Sequence, residues 1–263
     1  MARVFIGVGH GGTDPGAVGY LVEKDVNLKM ARACYDYLQA RGIDTRISRT
    51  GDVTDKLVSK IDRCNAFAPD IALDIHNNAG GGDGFEIFHS VVGGKGKELA
   101  QNIEKEVVKI GQNSRGLKTK KNSYGHDYFG FIRSTICPAV ICEGVFVDNK
   151  ADAAQADTDA ECLAFGEAYA RGILATLGIA DTAGKTDTTS KPNGASGTKT
   201  PAPATGNTSG YKVKVTANGL NIRKDAGVAH TVTGVIRDKG VYTIVAEKTV
   251  SGQKWGKLKS GAG

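Results

Sequence analysis

The 263 residues predict an α/β domain with a mostly parallel sheet flanked by helices, then a linker and a small all-β domain. Three observations predict this. Apolar runs of strand length alternate with stretches whose apolar residues step by three or four. The interval Asp181 to Gly210 contains no Val, Ile, Leu, Met, Phe, Tyr or Trp. Beyond it, short β-type runs are broken by glycine-containing turns.

The strands are expected at "RVFIGVG", "DTRIS", "IALDI", "FEIFHS" and "AVICEGVFV". They read as buried strands, as in a sheet covered on both sides. A first helix is expected with Asp25 as N-cap, Leu28, Ala31, Tyr35 and Leu38 on one face, and Gly42 as the stop. Leu99, Ile103, Val107 and Ile110 mark a second helix, and Leu163, Ala170, Ile173 and Leu177 a third. Residues 181–210 read as a flexible Thr/Gly/Pro/Ser linker with a root-mean-square span of about 30 Å, because they cannot bury enough apolar surface to offset ordering. Domains are therefore expected at 1–180 and 211–263.

Charge separates the same two parts. The net charge is +6, yet residues 211–263 hold ten Lys or Arg against three Asp or Glu. A basic module suits an anionic polymer or simply confers solubility. Nucleic acid is disfavoured, since only Tyr211, Tyr242 and Trp255 could stack on bases there. The five cysteines (Cys34, Cys64, Cys137, Cys142, Cys162) are odd in number and lack a CxxC pair, which suggests buried free thiols in a reducing compartment. The start "MARVFIGVGH" is too short in apolar residues for a signal peptide, and no run is long enough to span a membrane. Synthesis in the cytoplasm and no membrane insertion follow as expectations.

His10 follows "VFIGVG", His76 follows "IALDI" and Glu143 follows "AVIC", so three runs deliver chemistry to the carboxyl edge of the sheet, where ligands bind in α/β folds. His10, Glu23 and His76 form a two-histidine, one-carboxylate set. That donor set suits one Zn(II) ion with a fourth position left for water. Glu143 is then the nearby base that takes a proton from water and returns it to the leaving amine. Cys142 alternates to the opposite face and is expected in the core.

"GHGGTDPGAVG", "EKDVNL", "HNNA", "NSRGLK" and "PAVICEGVFVDN" occur in this order. Together they resemble the zinc-dependent N-acetylmuramoyl-L-alanine amidases of the type-3 class, over residues 3 to 178. The resemblance implies His10, Glu23 and His76 as zinc ligands and Glu143 as the catalytic glutamate. It implies hydrolysis of the amide between N-acetylmuramic acid and L-alanine of the peptidoglycan stem peptide. Asn78, Arg115 and Arg133 fall at matching positions, where substrate contact and loop bracing are both open. His126 lies in a stretch the family does not fix and is expected to be solvent-exposed. Two departures stand out. Gly144 directly follows Glu143, with Val145 before Phe146, where the family commonly has one residue and then Gly-Phe; the six-residue step to Asn149 is kept. Asp74 stands where the family tends to have a small hydroxyl residue, as a partner of the histidine or only a strand residue.

In the C-terminal part, "ANGLNIRKDAG", "GVIRDKG" and "WGKLKSGAG" resemble a bacterial SH3-like domain of wall hydrolases, with Trp255 packing the barrel. The chain stops short of the closing strand that family usually carries, so a truncated module with an open edge is expected. Such a tethered module would bind cell wall and concentrate substrate around the catalytic domain. The combined reading is a phage or prophage endolysin released by a separate pore, or a host autolysin. Two alternatives stay open: a zinc peptidase acting within the stem peptide, and a wall-binding protein with an inactive catalytic domain.

Overall fold

The computed structural model describes residues 1–182, 211–215, 220–227, 232–236, 240–250 and 253–258. The linker expected at 181–210 lies almost wholly outside the described residues, and so do parts of the C-terminal module.

Residues 1–182 build one six-stranded sheet, β1 (Arg3–Val8), β2 (Asp44–Ile47), β3 (Ile71–Asn78), β4 (Phe85–His89), β5 (Ser114–Lys118) and β6 (Ala139–Phe146), in the order β2-β1-β3-β6-β4-β5. All neighbours run parallel except β4 and β6, which are antiparallel. The reason is local: only Ala79–Gly84 separates β3 from β4, which is too short for a crossover helix, so the chain must turn back.

Helices cover both faces. Helices α1 (Glu23–Gln39), α3 (Lys95–Lys109) and α6 (Asp159–Leu177) lie on one face, where Ile6, Ile75, Cys142, Met30, Ile103 and Phe165 are in one buried cluster. On the other face α2 (Leu57–Phe67) and the short α4 (Gly130–Ser134) bring Cys64, Phe67 and Phe131 against Phe5, Ala72 and Ile141. A short α5 (Lys150–Ala153), capped by the Asn149 side chain, follows β6. Helix α6 opens on a capping box between Thr158 and Glu161 and ends on Gly178 in the left-handed conformation.

The expected fold class holds, two readings of α1 need correction, and two elements went unread. Helix α1 starts at Glu23, not after Asp25, and Val22 at its N-cap gives no side-chain bond. The loop supplies the acceptors instead, because Glu23 and Lys24 N–H bond to the Ala17 and Pro15 carbonyls at 3.0 and 3.1 Å. Asp25 sits in the first turn, where its charge suits the helix dipole. The inward stripe of α1 centres on Met30, Ala31, Cys34 and Leu38, and Leu28 and Tyr35 lie at its margin. Strand β5 and helix α2 were not legible as such, since "SRGLK" carries charge and α2 mixes Lys60 and Arg63 into its apolar pattern. All five cysteines are free, four buried and Cys137 half-buried. Cys142 is in the α1/α3/α6 core, as alternation requires.

The C-terminal unit has two small antiparallel sheets. One is β11-β10-β7, from β11 (Gln253–Leu258), β10 (Val241–Val250) and β7 (Tyr211–Lys214); the other pairs β8 (Leu220–Arg223) with β9 (Val232–Ile236). Val215, Ile236 and Ile244 are buried, and Trp255 lines a cavity with them. Among the described residues, no helix is long and apolar enough to cross a membrane.

Candidate active site

Alternation along the strands puts Gly7 and Gly9, Asp74 and His76, and Glu143 on the α2/α4 face, near the carboxyl ends of β1, β3 and β6. His76 and Glu143 are directly paired across β3 and β6. Both strands continue two or three residues past them, so neither sits at the strand terminus that the apolar runs suggested. His10 stands just beyond β1 at φ 58°, a left-handed conformation that is uncommon for a residue with a side chain.

These placements converge. One ligand atom from each of His10, Glu23 and His76 lies within 4.8 Å of the others, the one such group of three or more His, Cys, Asp or Glu among the described residues. His10 Nε2 is 3.2 Å from Glu23 Oε2, and His76 Nδ1 is 3.1 Å from Glu23 Oε1. Each ring's other nitrogen faces an aspartate: His10 Nδ1 donates to Asp14 at 2.8 Å, and His76 Nε2 lies 3.4 Å from Asp74. Carboxylates only accept, so both nitrogens of each ring face an acceptor: an aspartate on the outer side, and Glu23 on the inner side that a metal would take.

Glycines make the space. A Cβ on Gly9 would lie 2.5 Å from His76 Nδ1, and one on Gly16, at φ 66°, 2.4 Å from Glu23 Oε2. A buried polar lattice holds the ligand-bearing segments in register. Arg49 donates to the Gly9 and Lys24 carbonyls, the residues adjoining His10 and Glu23. Asn27 donates to Gly9 O and Glu23 Oε1 and accepts from Asn77, whose backbone N–H also reaches Glu23 Oε1. The departure at Gly144 has a geometric cause: register shifts between His76/Glu143 and Asn78/Phe146, and Asn77 Oδ1 takes the Val145 N–H of the resulting bulge at 2.9 Å. A side chain at Gly144 would fall 2.7 Å from that Asn77 oxygen.

The charges respond to this crowding. Burial alone would raise the Glu23 carboxyl, but bonds from His10 and His76 outweigh it and hold the group well below the usual carboxylate range. The bond to Glu23 raises His10. Burial would lower His76, yet the Asp74 charge prevails and lifts it to about 10. Glu143 moves the other way: burial raises its carboxyl to about 7, and its Oε2 is shielded from solvent with no hydrogen-bond partner.

Asn78 and Arg115 meet at a residue the sequence did not single out. Asn78 Nδ2 donates to Glu86 Oε2 at 3.2 Å and Arg115 Nε to Glu86 Oε1 at 2.6 Å, and Glu86 pairs across the sheet with Glu143. Arg133 donates to the Asp127 and Tyr128 carbonyls, both at 2.7 Å, as a brace of its loop. His126 is exposed. Asp14, Asn27 and Asn77 stand inside quoted motifs, whereas Arg49, Lys60 and Glu86 carried no pattern that marked them.

The arrangement therefore offers a convergent nitrogen and oxygen donor set beside a carboxyl with a raised affinity for protons. Comparison with known proteins gives the family. The family model of N-acetylmuramoyl-L-alanine amidase matches residues 4–175. The endolysin of Bacillus phage SPP1 is 30% identical over 268 residues, covering 98% of this chain and 93% of its own length, which takes in the C-terminal module. The sporulation-specific N-acetylmuramoyl-L-alanine amidase of Bacillus subtilis is 33% identical over 178 residues, or 66% of this chain and 67% of that one. Among solved structures, the catalytic domain of CwlV, an N-acetylmuramoyl-L-alanine amidase from Bacillus (Paenibacillus) polymyxa var. colistinus, superposes with a TM-score of 0.62 at 26% identity, covering 68% of this chain and all of that domain. With its sheet, its motif order and most of its length thus accounted for, the chain belongs to the N-acetylmuramoyl-L-alanine amidase family.

Proposed function

We propose that the chain hydrolyses the amide between the lactyl group of N-acetylmuramic acid and L-alanine of the stem peptide, using one zinc ion held by His10, Glu23 and His76. The observation that carries this reading is the unpartnered Oε2 of Glu143, at the strand position paired with His76 of the three-ligand cluster. The donor set also fits the metal: two imidazoles and a carboxylate leave a position open, and the glycine cradle at Gly9 and Gly16 keeps side chains out of it. When bound, zinc supplies a Lewis acid for the scissile carbonyl and lowers the pKa of water towards about 7.

The chain's own residues do the rest. Glu143 takes a proton from the attacking water at Oε2 and delivers it to the departing alanine nitrogen, so it finishes the cycle ionised. A carboxyl poised near neutrality can do both. Asp14 and Asp74 orient the two rings, and the Asn27–Asn77 pair keeps Glu23 facing them. Asn78, Arg115 and Arg133 are proposed to contact substrate. Asn78 and Arg115 would do so from the Glu86 anchor beside Glu143, and Arg133 from the loop it braces. The C-terminal unit is proposed to be an SH3-like wall-binding domain for anionic polymer, a reading supported by its two small sheets and its ten basic residues. The site of action would be the cell wall.

Digestion of purified Gram-positive walls, with mass analysis of the soluble fragments, tests the reaction. Free stem peptides beginning with L-alanine, lost with chelator and regained with zinc, are expected. Peptides cut internally would make the chain a peptidase, and binding without release would make it a wall-binding protein.

A further inference from the structure

Beneath the ligand cluster, α2 sends Lys60 inward to Asp74, and both residues are almost wholly buried, at 3% and 1% exposure. Lys60 Nζ donates to Asp74 Oδ1 at 2.8 Å and Oδ2 at 3.1 Å, and the same Oδ2 lies 3.4 Å from His76 Nε2. Burying two charges is expensive, and apolar residues of like volume often serve stability as well or better. The neighbourhood is nonetheless shaped around this pair. A Cβ at Gly7, the residue paired with Asp74 across β1 and β3, would fall 2.3 Å from Asp74 Oδ1 and 3.1 Å from Lys60 Cδ. Gly7 and Gly9 thus clear successive positions on one strand face, the first for the ion pair and the second for His76.

We infer that Lys60 and Asp74 are positioning residues for His76, holding its ring with Nε2 towards Asp74 and Nδ1 towards Glu23 as a metal ligand. The inference rests on the metal reading of the site given above. Asp74 supplies the acceptor that selects the ring orientation. Lys60 holds that carboxylate in place by donating to both of its oxygens.

Zinc affinity, measured on the full chain by competition with a chromophoric chelator, tests this. The single variant Asp74→Asn would strand the Lys60 charge and confound folding with binding, so the double variant Lys60→Met/Asp74→Leu is the informative one. It is expected to keep the wild-type melting temperature, measured without metal, and to bind zinc about 10- to 100-fold more weakly. Zinc affinity equal to wild type at an unchanged melting temperature would overturn the inference. Should the double variant fail to fold, nitrogen-15 spectra of the zinc-loaded wild-type protein decide: a proton on Nε2 of His76 with Nδ1 metal-bound is expected, and the reverse overturns it. A wild-type chain that binds no zinc removes the metal reading itself, an outcome distinct from either.

Discussion

The two faces of the N-terminal sheet are built from the same strands and obey different rules. On the α1/α3/α6 side, Ile6, Ile75, Cys142 and Phe165 close a mainly apolar core into which the buried Asn27–Asn77 pair is set. On the α2/α4 side, the strands start apolar at Phe5, Ala72 and Ile141 and lose that character two residues later, at Gly7, Asp74 and Glu143, with His76 two further on. Alternation lets one strand serve both purposes, since each step along it changes the face addressed. The first face fixes where the strands lie, and the second uses that fixity to hold groups that would repel or desolvate one another if left free. The apolar face should thus govern stability with little effect on chemistry, and the polar face the reverse.

The sharpest separation is expected from Glu143→Ala. Wall digestion should fall by about 10²- to 10⁴-fold, while zinc binding and melting temperature stay at wild-type values or above, because the change deletes an unpartnered buried oxygen. A variant that melts early would break the comparison. Phe165→Ala probes the opposite face. Phe165 is 1% exposed, so its removal should cost about 3–5 kcal/mol in denaturant unfolding, with kcat unchanged below the new transition.

The pH dependence of zinc binding refines the polar face. His10 and His76 both have raised pKa values, so protons compete with the metal for both rings. Affinity should therefore climb with pH, by up to about a hundredfold per unit while both protons are displaced. Chelator competition at two pH values measures it, and a flat profile would remove the histidines as ligands. The smallest effect concerns the thiols. Burial pushes Cys34 and Cys142 up, whereas the neighbouring Cys64 lowers half-buried Cys137. Alkylation of the native protein near pH 8 should label Cys137 first and reach Cys34 and Cys142 only on unfolding.

Legibility in the sequence follows the same division. Strands β1, β3 and β6 could be read because each is one contiguous apolar run, and His10, His76 and Glu143 because they interrupt or end such runs. Glu23 joined them through chemistry, as the carboxylate that completes a donor set. The supporting groups were hidden for a physical reason. Lys60 faces Asp74 across 14 positions and Arg49 reaches back 40 to Gly9, so only the folded chain reveals that these charges are buried. A lysine in a helix ordinarily marks the wet side, and here that rule concealed α2. The bulge at Gly144 looked like a departure from a motif because its partner, Asn77, lies on another strand.

The two outermost strands have a consequence for the molecule in crowded surroundings. Strand β2 is four residues long and carries Asp44 and Arg46; β5 is five long, carries Arg115 and Lys118, and has its register broken near Gly116, at φ 85°. Short, charged and kinked borders offer an incoming chain few consecutive amides to pair with. A sheet finished this way is poorly suited to growth by edge-to-edge strand addition.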